Sequence, residues 1–195
     1  MDRIEAMDIV AAARRDAAVL TGPGVNSGLL YARADAPATI YNMDMGYATA
    51  MALGVALARP DRKVLSIEGD GSFFAGAAVL STIRRMRPEN LVVVVLDNEV
   101  WGTGDGTEPS ATGSGADLAR LALANGWDAA RVHTPSGPNE LADRMGTAMD
   151  TPGPHLVVCK TDTSRDMPSS PHRPVPGRHQ LDCAVLMRAE LSGET

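Results

Sequence analysis

Val64-Leu65-Ser66-Ile67-Glu68-Gly69-Asp70-Gly71-Ser72 and, a helix length further on, Leu91-Val92-Val93-Val94-Val95-Leu96-Asp97-Asn98 decide the fold of this chain. Residues 91–96 are apolar without alternation, so both faces of that strand are expected to be covered, as in a parallel sheet between two helix layers. Between the two strands, residues 73–86 read as one helix, stopped by Arg87-Pro88. In an open parallel sheet the carboxyl ends of neighbouring strands lie side by side, and ligands bind there. Asp70 and Asn98 should therefore face each other. One carboxylate and one amide oxygen make a sparse, hard-oxygen set that suits Mg²⁺, an ion that keeps water and takes phosphate oxygens. Gly69 and Gly71 let the backbone pass close to a ligand, and a helix starting at Ser72 aims its free N–H groups at the same place, which favours phosphate. The expected ligand is a metal-bridged diphosphate. With a formal net charge of −6, the chain needs the metal to hold a polyanion.

Outward from this centre, strand and helix patterns alternate. Helices are expected over 3–17, 27–33, 45–58, 116–125, 138–149 and 180–191, and strands over 18–21, 39–42, 130–132 and 155–159. Residues 102–115 read as a polar loop, whose Gly104-Asp105-Gly106 repeats the tripeptide without a strand before it and reads as a turn. Gly46 and Gly54 within the 45–58 segment suggest close approach by another backbone, because glycine inside a helix costs ~1 kcal/mol against alanine. The fold class is α/β: a three-layer α/β/α arrangement around a mostly parallel open sheet. Residues 1–160 form the main domain, 161–179 an extended Pro-rich arm, and 180–195 a terminal helical segment.

The chain has 195 residues, enough for one core. No basic stripe or long apolar run occurs, which argues against nucleic acid and membrane as partners. The aromatic content of 4% argues against base-stacking platforms. The two cysteines, Cys159 and Cys183, have no metal-like spacing and fit a reduced, cytoplasmic protein. His133 and His155 read as structural, and His172, Arg173, Arg178 and His179 as part of a solvated arm.

The run from Gly69-Asp70-Gly71-Ser72 to Leu96-Asp97-Asn98-Glu99-Val100-Trp101 resembles the cofactor-anchoring motif of thiamine-diphosphate-dependent enzymes, in their diphosphate-binding (PP) domain. It is most similar to the sulfopyruvate and phosphonopyruvate decarboxylases, and the chain is about the size of a separate sulfopyruvate decarboxylase β subunit. The resemblance extends to Gly24–Tyr31, Met45-Gly46 and Ala58–Val64. It implies the thiamin diphosphate-binding fold of PP type, with thiamine diphosphate and Mg²⁺ as cofactors. By it, Asp70, Asn98 and the Val100 carbonyl coordinate Mg²⁺. Gly69, Gly71, Ser72 and the turn holding Gly24, Asn26 and Ser27 meet the diphosphate. Met45 wedges the cofactor, the Met43 carbonyl accepts from its aminopyrimidine, and Trp101 stands where the family has Tyr. The loop after Trp101 departs from the Ser-Thr-Gly-Gly-Gln-like run of the decarboxylases, which leaves the 2-oxo-acid substrate open.

In that family a glutamate on a second, pyrimidine-binding (PYR) domain activates the cofactor. The chain has room for one such domain. Glu68 lies at the diphosphate end and is not assigned that role. The resemblance therefore implies a PYR-domain α subunit on a separate polypeptide, in an α₂β₂ or larger hetero-oligomer, with catalytic residues of this chain unknown. The alternatives are an acetolactate synthase-like carboligase subunit, a non-catalytic scaffold, and a nicotinamide-dependent domain built on Gly22-Pro23-Gly24-Val25-Asn26-Ser27-Gly28.

Overall fold

The structure, a computed structural model, describes residues 1–101, 108–162 and 175–193. It contains a six-stranded sheet, all pairs parallel, in the order β2-β1-β3-β4-β6-β5. The strands are β1 (Ala18–Thr21), β2 (Thr39–Ile40), β3 (Val64–Gly69), β4 (Leu91–Asp97), β5 (Val132–His133) and β6 (His155–Lys160). The helices are α1 (Arg3–Ala13), α2 (Val25–Ala34), α3 (Ala48–Ala58), α4 (Asp70–Ala75), α5 (Val79–Met86), α6 (Leu118–Ala124), α7 (Pro138–Asp150) and α8 (Gln180–Ser192). α1 packs on α2 and α7 in one layer. α3 packs on α5 in the other, where the Trp127 indole N–H, just after α6, donates to the Leu80 carbonyl of α5 at 3.0 Å.

Strand β4 is buried along its whole length, as a central strand covered on both faces must be. Its neighbours β3 and β6 are buried nearly throughout. Cys159 on β6 is free and buried, and burial pushes its thiol up to about 11, so it acts as a small apolar side chain.

Several boundaries differ from the sequence reading. Residues 73–86 do not form one helix; α4 ends at Ala75 and α5 begins at Val79. The break lies where Gly76 meets Gly46: a Cβ on Gly46, whose φ is +83°, would stand 2.9 Å from the Gly76 nitrogen. Only two residues without side chains allow backbones this close. Gly54 has no such neighbour within 4 Å, so the expectation of a close approach holds at Gly46 and fails at Gly54. The expected 45–58 helix starts only at Ala48, after a turn, and the expected 39–42 strand pairs only over Thr39–Ile40. Most of the 161–179 arm, including His172 and Arg173, and the Gly104-Asp105-Gly106 turn lie outside the described residues. Arg178 ion-pairs with Asp35 and lies 5.9 Å from the Tyr41 ring centre, which ties α8 to the β2 edge.

Candidate cofactor and cation site

The chain leaves β1 toward β2 on one side and returns to β3 on the other. The strand order thus reverses between β1 and β3, and a crevice opens beyond their carboxyl ends. Around it stand the turn into α2, the turn before α3, the start of α4 and the segment after β4.

Asp70 opens α4 at 2% exposure, and the β3–β4 register carries Asn98 alongside it. One terminal atom of the Asn98 amide lies 3.0 Å from Asp70 Oδ1 and 3.2 Å from the Val100 carbonyl oxygen. Both neighbours are acceptors. With nitrogen in that place the amide donates to both and no repulsion remains; turned over, the same amide would offer its oxygen beside the other two to a cation. The charges point the same way. Asp97, also buried, has Lys160 Nζ 2.8 Å from Oδ2 and accepts from the Glu99 N–H at 3.1 Å. Burial opposes the Lys160 charge, but its bonds to Asp97 and Glu99 outweigh that and raise its pKa. Asp70 has no such ammonium or guanidinium partner among the described residues; Ser110 and Thr112 hydroxyls donate to its Oδ2. A buried carboxylate without a counter-charge is costly unless a cation is supplied. Among the described residues no three His, Cys, Asp or Glu side chains cluster as a metal site, so any ion here would rely on amide and carbonyl oxygens as well.

The turn Gly22-Pro23-Gly24 lies against the start of α4: a Cβ on Gly22 would stand 3.0 Å from the Ser72 hydroxyl. Gly24 caps α2 at φ 93° with no side-chain bond to its first turn. Asn26, 4% exposed, has its Oδ1 without a hydrogen-bond partner, and its Nδ2 reaches within 3.9 Å of where a Cβ on Gly69 would lie. A buried polar atom left open at a crevice invites a ligand or water. Ser27 differs: its hydroxyl donates to the Gly22 carbonyl at 2.9 Å and accepts from the Asn42 N–H at 2.8 Å. The Ser72 hydroxyl is likewise committed, donating to Glu68 and accepting from the Gly46 N–H at 3.3 Å. What Ser27 and Ser72 can turn toward a ligand is therefore backbone.

Trp101 lies over Gly71, where an added Cβ would stand 2.7 Å from the indole Cζ3. The Met43 N–H donates to the Thr21 carbonyl at 2.9 Å, which holds that segment beside the end of β1. Met45 is 38% exposed, in the turn that leads into α3. Of the residues named in the sequence, the structure thus brings Asp70, Asn98 and Val100 together, sets Trp101 on Gly71 and places Asn26 near Gly69.

Ser110 and Thr112 were not foreseen, and Glu68 makes contacts that the sequence did not indicate. Glu68 is fully buried and accepts from the Thr49 N–H at 2.9 Å, the Thr49 hydroxyl at 2.6 Å and the Ser72 hydroxyl, which locks β3 to the starts of α3 and α4. Ser110 and Thr112 come from the expected polar loop. Trp101 N–H donates to the Glu108 carbonyl at 2.8 Å and Ser110 N–H to the Glu99 carbonyl at 2.9 Å, so the chain folds back antiparallel. The run of small hydroxyl residues from Ser110 to Ser114 was the available signal.

Residues 29–159 match the family model described as "Thiamine pyrophosphate enzyme, C-terminal TPP binding domain". The chain is 40% identical over 158 residues to a phosphonopyruvate decarboxylase of Streptomyces viridochromogenes, covering 80% of this chain but 38% of that protein. It is 31% identical over 144 residues to the sulfopyruvate decarboxylase subunit beta of Methanocaldococcus jannaschii, covering 73% of this chain and 74% of that subunit. Among solved structures, benzoylformate decarboxylase from Polynucleobacter necessarius superposes with a TM-score of 0.72 at 17% identity, over 84% of this chain and 34% of that one. This last likeness supports the fold alone.

Proposed function

Because this chain belongs to the thiamine pyrophosphate enzymes, through their C-terminal TPP binding domain, we propose that it is the thiamine-diphosphate- and Mg²⁺-binding subunit of a two-chain 2-oxo-acid decarboxylase of the sulfopyruvate or phosphonopyruvate kind. The observation that carries the reading is the convergence of the Asn98 amide and the Val100 carbonyl on Oδ1 of Asp70, a buried carboxylate with no cationic partner among the described residues. These three groups would hold Mg²⁺, which would supply the positive charge that a diphosphate needs in an acidic protein. The α2 turn at Gly24, with the open Asn26 Oδ1, and the backbone at Gly69, Gly71 and Ser72 line the diphosphate's path. Met43, Met45 and Trp101 shape the rest of the crevice and keep water from it. When bound, thiamine diphosphate supplies the electron sink that cleaves a 2-oxo acid beside its carbonyl.

The division of labour rests on a relative's name and on surface. The chain is 31% identical to a protein named as a beta subunit, 74% of which it covers. Met45, Tyr47, Met51 and Phe74 remain 38–60% exposed next to the crevice, an apolar rim suited to a PYR-domain α subunit that brings the activating glutamate. Residues 1–160 are the cofactor domain in this reading.

The test is reconstitution. The purified chain alone is expected to release no CO₂ from sulfopyruvate or phosphonopyruvate, and to gain turnover with a PYR-type subunit, thiamine diphosphate and Mg²⁺. Robust turnover by the isolated chain overturns the two-chain reading. Accumulation of an acyloin instead of an aldehyde would move the assignment to a carboligase.

A further inference from the structure

The two hydroxyls on Asp70 Oδ2 leave the carboxylate with unequal oxygens. Oδ1 faces the Asn98 amide and the Val100 carbonyl, whereas Oδ2 accepts from the Ser110 hydroxyl and, at 2.9 Å, from the Thr112 hydroxyl. Both donors are themselves buried, at 1% and 5% exposure, and lie 3.0 Å apart. They are held by more than these bonds. The return segment pairs with Glu99 and Trp101, and at Gly113 any side chain would run into the Glu99 carbonyl, so it fits closely. Glu99 itself takes a left-handed φ of 64°, uncommon for a residue with a side chain, and thereby turns Asn98 and Val100 toward Asp70.

Proton accounting assigns the two donors. The Thr112 hydroxyl is 2.9 Å from Asp70 and 2.7 Å from Asp97 Oδ1 but carries one hydrogen. Asp97 already has Lys160, so Thr112 is a divider between two carboxylates, and Ser110 is the dedicated donor to Asp70.

We propose that Ser110 and Thr112 are positioning residues that withhold Asp70 Oδ2 from the bound cation, limit Asp70 to one coordinating oxygen, and so set the site's preference for Mg²⁺ over Ca²⁺. The chemistry follows from the ions. Ca²⁺ takes six to eight oxygens and readily accepts both oxygens of a carboxylate, whereas Mg²⁺ is smaller, demands near-octahedral geometry and is served by single oxygens. A carboxylate clamped through its second oxygen suits the smaller ion. The inference rests on the reading of Asp70 as a cation ligand.

The experiment titrates MgCl₂ and CaCl₂ separately into the full chain at saturating thiamine diphosphate, following heat of binding. T112V and S110A are compared with wild type, and T112S, which keeps the hydroxyl, serves as the conservative control. Mg²⁺ affinity is expected to fall about 10–100-fold in T112V and S110A, as for other residues that orient metal ligands. Ca²⁺ affinity falls less, so the Mg²⁺-over-Ca²⁺ preference narrows, while T112S stays near wild type. Equal weakening of both ions in the variants, or Mg²⁺ affinity unchanged in both, overturns the inference. Should T112V fail to fold, S110A and T112S carry the comparison. A wild-type chain that takes up neither ion overturns the cofactor reading itself, which separates the two failures.

Discussion

The two ends of the sheet treat polar groups in opposite ways. At the amino end, Asn90 Nδ2 donates within a ring of carbonyls of Ala56, Arg59 and Arg62 at 3.1, 2.8 and 2.7 Å. Lys63 Nζ closes the carbonyls of Ala148 and Thr151 at 3.1 and 2.7 Å. His133 Nε2 and His155 Nδ1 lie 3.2 Å apart, and His155 Nε2 lies 3.0 Å from the Thr151 hydroxyl, which donates onward to the Thr147 carbonyl. That chain closes on itself. At the carboxyl end, among the described residues, Asp70 has no counter-charge, Asn26 Oδ1 has no partner and one Thr112 proton faces two acids. Polar groups satisfied within the protein hold the fold. Of the groups compared here, those left open at the carboxyl end are available to a ligand.

The largest expected effect tests that division at Asp70. Asp70→Asn is expected to weaken Mg²⁺-dependent thiamine diphosphate binding by at least about 100-fold, beyond the usual loss for an outer-shell residue. The same change should leave the ligand-free chain as stable as wild type or more so, because a buried charge without a partner is removed. Asp97→Asn should do the reverse to stability, since Lys160 loses its buried partner. Denaturant midpoints of ligand-free protein, with calorimetric affinities, check both; a large stability loss in Asp70→Asn would erase the contrast.

Next in size is Asn90→Ala at the opposite end. Three carbonyls lose a donor, and the expected cost is about 2–3 kcal/mol of unfolding free energy. Cofactor affinity should not change. Urea unfolding and the same calorimetric titration settle it, and a coupled loss of affinity would mean that the two ends are not independent.

How much of this was legible beforehand follows the range of the interactions involved. The unbroken apolar run in β4 and the strand–Gly-Asp-Gly–helix pattern after β3 are local, and they led to the parallel sheet and to the facing of Asp70 and Asn98. The break between α4 and α5 was not legible, because it depends on Gly46 packing against Gly76 across thirty positions of chain. Ser110 and Thr112 were hidden for the same reason. Their role exists only once the segment after Trp101 folds back on Glu99, a return that no periodicity announces. Glu68 reads from the sequence as part of the strand leading to Asp70, where it lies, but its clamp on Thr49 and Ser72 needed the packed structure.

The smallest effect concerns the closed histidine pair. The Thr151 hydroxyl gives its proton to Thr147, so it must accept one from His155 Nε2, and His155 Nδ1 must then accept from His133 Nε2. Both rings are neutral in this arrangement, and a further proton on His155 would have to sit on the nitrogen that accepts. Burial first, then interaction with the neighbouring His133 and the positive charges of Arg131 and Lys63, pushes His155 down to about 4. The unfolded chain takes up this proton near the ordinary histidine value of about 6.5, the folded chain only near the lowered one. Between them the unfolded state binds more protons, so stability contributed above pH 6.5 or so is lost as pH falls. The expected loss between pH 7.5 and pH 5 is about 2 kcal/mol, before the surface carboxylates titrate. His155→Gln should unfold with most of that pH dependence gone while cofactor affinity stays unchanged at pH 7.5. An equal acid loss in that variant would place the sensitivity elsewhere and leave the pair as packing alone.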